Sequence, residues 1–429
     1  MDPMPEALPS LAEVAALVDR AATHLEGVAA VTPLQRNDRL SDLTGADVWL
    51  KREDLQPVRS YKLRGAYTLM SQLDDGALPA GVVCASAGNH AQGVAWACAR
   101  LGIDGAIFVP TTTPRQKRDR IRALGGDRVR LIVTGETYDA ADQAAHEAAD
   151  KTGATLVPAF DDLRTVAGQG TVAAEIVAQL GAAPDVLLAP VGGGGLLAGC
   201  GAWLHEAAPT TRVIGVEPAG AACIAAGLQA GHPVRLATID TFVDGAAVRR
   251  AGEVTLPLVR ALGCRLVAIP EGQVCSEMLS LYQVDGVIAE PAGALASSAL
   301  RQGPHDLTVR VAPGQTVVAI VSGGNNDISR YSEVLERSLL HEGRKHYFMV
   351  TFPQEPGALR RFLDGILGPD DDIVLFEYTK KSNRETGPAL VGVELGDPDE
   401  LPALLDRIAA SPIQVEAIPP DGSFYRYLV

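Results

Sequence analysis

Short apolar runs alternate with helical patterns through the first 340 or so residues of this 429-residue chain. Strands are predicted at "GVVCAS" (81–86), "GAIFVP" (105–110), "RVRLIVTG" (128–135), "DVLLAP" (185–190), "RVIGVEP" (212–218) and "TVVAIV" (316–321). Most of these strands precede a stretch with helical character. One such helix is predicted after "GAIFVP", with Thr113 as N-cap, Pro114 as first helical residue and Gly125 at its end. Strands that alternate with helices of this length predict an α/β fold with a parallel sheet covered on both faces.

The pattern changes near residue 340. From "KHYFMVTFPQEPGALRRFLDGILG" (345–368) onward the order is strand, turn and helix, and further strands and a helix follow. The last predicted strand is "FYRYLV" (424–429). Residues 345–429 therefore form a separate α+β module, joined to the preceding part by the polar hinge "HEGRKH" (341–346), and no second copy of the module follows.

Composition narrows the possible functions. The formal net charge is −15 (37 basic and 52 acidic residues), so nucleic acids and anionic membrane surfaces are not expected partners. The six cysteines are scattered singly and no histidine pair has ligand spacing, which favours a reducing compartment and no metal centre. No apolar run reaches 18 residues, and the first residues lack a basic and apolar leader. We therefore expect a soluble, cytoplasmic protein of at least two domains.

The strongest single motif is "VGGGGL" (191–196), which follows a strand and precedes a helix. Consecutive glycines let several backbone N–H groups approach one anion at the positive end of the helix. A flexible loop or a close helix–strand contact is the alternative. The usual nucleotide motifs do not explain it, because no Gly-Lys dipeptide occurs and "GQGTVA" (168–173) does not follow a strand. A small phosphorylated cofactor is therefore the better match.

Two further loops end apolar strands, "SAGNHAQG" (86–93) and "VSGGN" (321–325), and ligands of parallel sheets lie at that end. Ser86 and Asn89 offer hydroxyl and amide groups, although either could simply cap a helix. Lys62, near the start of a helix in "SYKLRGA" (60–66), could be an ordinary surface lysine. Beside a phosphate site, it could instead form a Schiff base with pyridoxal phosphate.

Together these motifs, with "EPAGA" (290–294), resemble the fold-type II pyridoxal-phosphate enzymes, and among them the biosynthetic threonine dehydratases (threonine ammonia-lyases). The resemblance implies a tryptophan synthase β-like catalytic domain over residues 1–340, built from two parallel-sheet α/β subdomains. The smaller subdomain spans roughly 55–160. It also implies an ACT-like regulatory domain at 345–429, present once where longer relatives carry it twice.

The resemblance assigns roles to individual positions. Lys62 would hold the cofactor and shuttle the α-proton, and Ser86 and its neighbours would grip the substrate carboxylate. Asn89 would bind the ring hydroxyl and Ser322 would face the pyridine nitrogen. The phosphate would be held by the backbone amides of Gly192, Gly193, Gly194, Gly195 and Leu196. Ala87 lacks the hydroxyl that racemase relatives carry, and Cys223 stands where cation-binding relatives place an acid, so neither racemisation nor a metal is expected.

The implied reaction is elimination on L-threonine to give 2-oxobutanoate and ammonia, with L-serine as a slower substrate. Isoleucine would inhibit through the C-terminal domain, and the protein would form a homo-oligomer, a dimer or a tetramer. Two alternatives remain within the enzymes: a β-replacement synthase and a serine-preferring dehydratase. An amino-acid sensor with a degenerate catalytic half is the alternative from another class.

Overall fold

The computed structural model describes residues 9–301, 309–380 and 384–419. They form two compact units. The described residues of the first unit fall within Met1–Glu271, Ser280–Gln302 and Asp306–Asn326. Those of the second fall within Gly272–Leu279 and Asp327–Val429. The predicted strand at 424–429 lies outside the described residues.

The strands of the described chain are numbered in chain order: β1 (Leu34–Arg36), β2 (Asp47–Arg52), β3 (Val82–Ala85), β4 (Gly105–Val109), β5 (Val129–Val133), β6 (Thr155–Leu156), β7 (Val186–Pro190), β8 (Arg212–Pro218), β9 (Arg265–Ile269), β10 (Thr316–Val321), β11 (Lys345–Pro353), β12 (Asp372–Tyr378), β13 (Thr386–Glu394) and β14 (Gln414–Ala417).

The α-helices are numbered in the same way: α1 (Leu11–Leu25), α2 (Asp38–Thr44), α3 (Lys62–Met70), α4 (Asn89–Leu101), α5 (Arg115–Gly125), α6 (Tyr138–Thr152), α7 (Leu163–Leu180), α8 (Gly195–Ala207), α9 (Cys223–Ala230), α10 (Thr255–Leu262), α11 (Glu271–Gln283), α12 (Pro291–Ser298), α13 (Tyr331–His341), α14 (Ala358–Ile366) and α15 (Leu401–Ala410).

Two sheets organise the first unit. The larger has the order β1-β2-β10-β7-β8-β9, and all its neighbours pair in parallel except β1 with β2. The smaller has the order β5-β4-β3-β6 and is parallel throughout. Every residue of β3 and β7 is buried, as expected for parallel strands covered on both faces. The predicted α/β class with two parallel-sheet subdomains is confirmed.

Glycines allow the helices of this unit to approach closely. A Cβ on Gly168 would lie 2.6 Å from the carbonyl oxygen of Arg64, and one on Gly170 would lie 2.8 Å from the backbone of Gly199. Both glycines belong to "GQGTVA", which the structure places inside α7. That motif therefore serves helix packing. One helix start differs from the prediction, since α5 begins at Arg115 and the extended Pro114 occupies the N-cap position.

A buried group of charges holds helix α3 in place. The guanidinium of Arg64 donates to Glu53 at 2.8 Å and to Glu175 at 2.7 Å, and Lys51 donates to the other oxygen of Glu175 at 2.7 Å. Arg64, Glu53 and Lys51 are buried. Charges without water are stable only when they are paired in this way. The group thus fixes the helix that begins at Lys62.

The second unit contains a four-stranded antiparallel sheet of order β12-β13-β11-β14. With α14 after β11 and α15 after β13, the order of elements is that of a ferredoxin-like βαββαβ fold. Alternate residues of β11, Phe348, Val350 and Phe352, enter its own core with Phe362 of α14 and Leu404 of α15. Helix α13 groups with this unit, which therefore begins before the predicted hinge.

Within the described part of the chain, no helix combines the length and apolarity needed to cross a membrane.

Candidate active site

A cavity of about 1240 Å³ opens in the first unit at the carboxyl ends of strands β3, β7 and β10. Several helices begin at its wall, among them α3 at Lys62, α4 at Asn89 and α8 at Gly195. The unpaired N–H groups and the dipole at a helix N-terminus favour bound anions. The cavity wall therefore includes helix N-termini of the kind that suits phosphate or carboxylate.

Lys62 contributes the amine of the site. Its Nζ donates to the carbonyl oxygen of Ala159 at 3.0 Å and lies 5.2 Å from the centre of the Tyr61 ring. Burial lowers the pKa of Lys62 to about 8, against the opposing charge of Glu290. The backbone N–H of Tyr61 donates to the carbonyl oxygen of Ser322 at 3.2 Å, which ties the start of α3 to the end of β10. The amine is thus fixed in place and readily deprotonated.

The glycine loop forms a cradle without side chains. Gly194 has φ of +92°, a conformation that favours glycine, and a Cβ on Gly192 would lie 3.0 Å from the Cα of Ala246. A Cβ on Gly193 would overlap the ring of Phe160, and the carbonyl oxygen of Gly193 accepts from Thr255 Oγ1 at 2.6 Å. With the N-terminus of α8 beyond it, this loop fits the phosphate of pyridoxal phosphate.

The loop after β3 brings Ser86 and His90 to the same wall. Ser86 Oγ accepts from the backbone N–H of Gly88 at 3.2 Å, which closes the turn into α4. His90 Nε2 donates to the carbonyl oxygen of Val157 at 2.7 Å. Burial and the charge of Lys62 lower the pKa of His90 to about 4. His90 is therefore neutral near pH 7, and its contacts are those of a structural histidine.

Asn89 makes hydrogen bonds to two side chains, Glu290 and Asn325, that the sequence analysis did not predict as site residues. Its amide nitrogen donates to Glu290, and its amide oxygen accepts from Asn325 at 2.7 Å. Glu290 is buried, and burial together with the charge of Asp244 raises its pKa to about 7. In the sequence, Glu290 appeared only as the first residue of the motif "EPAGA", with no role assigned to its side chain, and an acid before Pro291 also suits an ordinary helix N-cap.

Of the predicted site residues, the structure brings to the cavity wall Lys62, Ser86, Asn89, Gly192, Gly193, Gly194, Gly195 and Leu196. Ser322 is not among the described residues that line the cavity. It is buried, and its hydroxyl donates to the carbonyl oxygen of Ala292 at 3.0 Å. Its role beside the pyridine nitrogen stays a prediction.

The described residues contain no group of three or more His, Cys, Asp or Glu that could hold a metal ion. Near the glycine loop, both oxygens of Glu217 accept backbone N–H groups, from Ile224 at 2.8 Å and from Ala225 at 3.0 Å. The thiol of Cys223 contacts the carbonyl oxygen of Gly192 at 3.5 Å. These groups hold the start of α9 against the glycine loop.

Two family models match the chain: the pyridoxal-phosphate-dependent enzymes over residues 25–323, and the C-terminal regulatory domain of threonine dehydratase over 336–428. The chain is 58% identical over 427 residues to the biosynthetic L-threonine dehydratase of Mycobacterium tuberculosis, covering 99% of this chain and 98% of that protein. The chain belongs to the biosynthetic threonine dehydratase family. It is therefore an enzyme that depends on pyridoxal phosphate.

Further relatives support the same family assignment. The biosynthetic L-threonine dehydratase of Bacillus subtilis is 49% identical over 410 residues, which is 96% of each chain. Among solved structures, the processed form of threonine deaminase isoform 2 from Solanum lycopersicum is similar, with a TM-score of 0.72 and 38% identity. The match covers 79% of this chain and 94% of that one. The fold-type II architecture inferred from the motifs is confirmed.

Proposed function

We propose that the protein converts L-threonine to 2-oxobutanoate and ammonia as the first step of isoleucine biosynthesis. The observation that carries the proposal is the position of Lys62, an amine with a lowered pKa in a cavity where the glycine loop and the N-termini of α4 and α8 also lie. The relatives named above as biosynthetic threonine dehydratases support the choice of substrate. L-Serine, which lacks only the methyl group, is proposed as a slower substrate.

When bound, pyridoxal phosphate supplies an aldehyde for Schiff-base chemistry and a ring that withdraws electrons from the substrate α-carbon. Lys62 would hold this group and, as a neutral amine, would accept the α-proton. The backbone amides of 192–196 would hold its phosphate at the N-terminus of α8. The protein must therefore provide a neutral base, Lys62, and a fixed anion site, the amides of 192–196.

The remaining site residues orient the reactants. Ser86 and the N-terminus of α4 bind the substrate carboxylate, because unpaired N–H groups at a helix start favour an anion. With pyridoxal phosphate bound, Asn89 would donate to the ring oxygen of the cofactor, and Ser322, at the end of β10, would interact with the ring nitrogen. These assignments rest on the resemblance and, except for Ser322, on the shared cavity wall.

Trapping the cofactor tests the assignment of Lys62. Borohydride reduction of the holoenzyme, followed by peptide mass spectrometry, should place the pyridoxyl group on Lys62. Lys151→Ala, which removes an exposed lysine of α6, is the matched control and should label as the wild type does. Label on another lysine, such as Lys117 of the same cavity, would overturn the assignment.

We further propose that residues 1–340 are the catalytic domain and that 345–429 form an ACT-like regulatory domain through which isoleucine inhibits. Two observations support separate catalytic and regulatory parts, whereas the second compact unit of the structure already begins at Asp327 and includes Gly272–Leu279. The second unit has its own hydrophobic core, and every described residue that lines the cavity belongs to the first unit. The regulatory-domain match over 336–428 favours a sensing role. A single module per chain suits a homo-oligomer, a dimer or a tetramer, in which modules of two subunits meet.

The cytoplasm is the proposed location. None of the six cysteines, all of them in the described part of the chain, forms a disulfide, and five of them are buried, which suits a reducing compartment.

Hydrogen exchange on the full-length protein tests the regulatory proposal. Isoleucine should slow amide exchange within 345–419, and threonine should slow it at the cavity. The threonine saturation curve should shift by about 5–150-fold in apparent affinity, the range of ordinary allosteric coupling. Isoleucine that protects only cavity peptides and competes simply with threonine would contradict the proposal.

A further inference from the structure

Three polar side chains on the cavity wall form one chain of hydrogen bonds. Asn325 Nδ2 donates both to the carbonyl oxygen of Val58 at 2.8 Å and to Asn89 Oδ1 at 2.7 Å. Asn89 Nδ2 in turn donates to Glu290 Oε1. Both N–H groups of the Asn325 side chain thus donate hydrogen bonds. Because the carbonyl oxygen of Val58 can only accept, it fixes which way the Asn325 amide faces. One hydrogen of Asn89 Nδ2 remains for another acceptor.

Glu290 does not serve its own helix. It occupies the N-cap position of α12, directly before Pro291, yet its carboxylate makes no capping hydrogen bond there. The side chain instead reaches Asn89, 201 residues away in the sequence. An ordinary N-cap would accept from the first turn of its helix. The carboxylate is therefore used at the cavity.

The absence of a side chain at Gly323 leaves room for the contact between Glu290 and Asn89. A Cβ on Gly323 would overlap Glu290 Oε1 and would lie 3.1 Å from Asn89 Nδ2. The carbonyl oxygen of Gly323 also accepts the backbone N–H of Glu290 at 3.1 Å. The first glycine of "VSGGN" is thus explained by close approach to the Glu290–Asn89 pair, with β10 and α12 meeting there.

We propose that Glu290 is a positioning residue, which fixes the Asn89 amide so that it presents an N–H group, and not its oxygen, to the ring oxygen of the cofactor. This inference rests on the role proposed for Asn89 above. A rotated Asn89 amide would set its oxygen against the Glu290 carboxylate and its nitrogen against the nitrogen of Asn325. While Glu290 is ionised, both hydrogen bonds would become repulsive contacts, so the two partners together select one orientation.

A double-mutant cycle on cofactor binding tests the proposal. The dissociation constant of pyridoxal phosphate and the absorbance spectrum of the bound cofactor would be measured for the wild type, Glu290→Ala, Asn89→Ala and the double variant. Glu290→Ala should weaken binding about 10-fold, because Asn89 loses its partner and its fixed orientation. In the Asn89→Ala background, the same change should add less than about 2-fold, as expected for residues that act as one unit. The Glu290→Ala and Asn89→Ala spectra should change in the same direction.

Glu290→Gln supplies the rescue, since its amide oxygen can still accept from Asn89. It should bind the cofactor more tightly than Glu290→Ala and show a spectrum closer to that of the wild type. Multiplicative effects of Glu290→Ala and Asn89→Ala would overturn the proposal, because Glu290 would then act independently. An Asn89→Ala variant with wild-type affinity and spectrum would overturn both this inference and the role of Asn89. The borohydride result at Lys62 would still report on the catalytic lysine separately.

Discussion

Replacing Gly193 by alanine should weaken cofactor binding through a clash that the structure locates. The added Cβ would lie less than 3.0 Å from three carbons of the Phe160 ring, Cγ, Cδ1 and Cδ2. Each of these distances would be 2.4 Å, whereas carbon atoms in contact are normally about 3.5–4.0 Å apart, so the loop and the ring must separate by about 1 Å. Rotation of the ring cannot relieve an overlap that involves these three atoms together.

The neighbouring backbone restricts this movement. Phe160 is also close to Gly195, whose Cβ would lie 3.1 Å from Phe160 Cβ, and Thr255 holds the carbonyl oxygen of Gly193. Overpacking of this kind costs about 1–3 kcal/mol. If the strain falls on the cofactor-binding loop, the dissociation constant of pyridoxal phosphate should rise about 5–150-fold.

Titration of the apoprotein with pyridoxal phosphate, followed by absorbance, measures this change. Gly76→Ala is the matched control, because a Cβ on Gly76 meets nothing within 4 Å and φ there is not positive. It should bind the cofactor as the wild type does. A Gly193→Ala protein with wild-type affinity and an unchanged melting temperature would refute the close contact between the glycine loop and Phe160.

Three further predictions follow from the same site. The lowered pKa of Lys62, about 8, means that the neutral amine increases with pH and is half formed at pH 8. The rate of cofactor capture by the apoprotein should therefore rise about fivefold from pH 7 to 8 and less than about twofold from pH 8 to 9. A tenfold rise in the capture rate over each of the two intervals would indicate that Lys62 has the pKa of an ordinary lysine. Arg64→Met should lower the free energy of unfolding of the first unit by about 3–5 kcal/mol, because Glu53 is left buried beside an incomplete set of partners. A loss below about 1 kcal/mol in denaturant titrations would contradict this role. L-Serine should give pyruvate with a kcat/KM about 5–150-fold below that of L-threonine, since one methyl group contributes about 1–3 kcal/mol of discrimination. A preference for serine in the keto-acid assay would favour the serine-dehydratase alternative.

Local patterns in the sequence predicted the parts of the fold that are local in origin. Apolar runs of four to seven residues marked β3, β4, β7 and β8 because parallel strands are buried on both faces. The four glycines of "VGGGGL" likewise predicted, from local sequence alone, the turn that leads into α8. The start of α5 was displaced by one residue, since Pro114 can take the extended N-cap conformation itself.

Contacts between distant segments could not be predicted from one sequence. Arg64 and Glu175 are 111 residues apart, and Asn89 and Glu290 are 201 apart, so no local period connects them. Phe160 gave no signal at all, because its ring matters only through its contact with Gly193. Such pairings are set by the order of strands in the sheet, which apolar runs do not encode.

The most direct test of the proposed reaction is to mix the purified holoenzyme with L-threonine and measure 2-oxobutanoate and ammonia. The account predicts equal amounts of the two products, and no 2-oxobutanoate from a Lys62→Ala protein that remains folded. The absence of keto acid from the wild type, or its appearance at a normal rate from Lys62→Ala, would contradict the account.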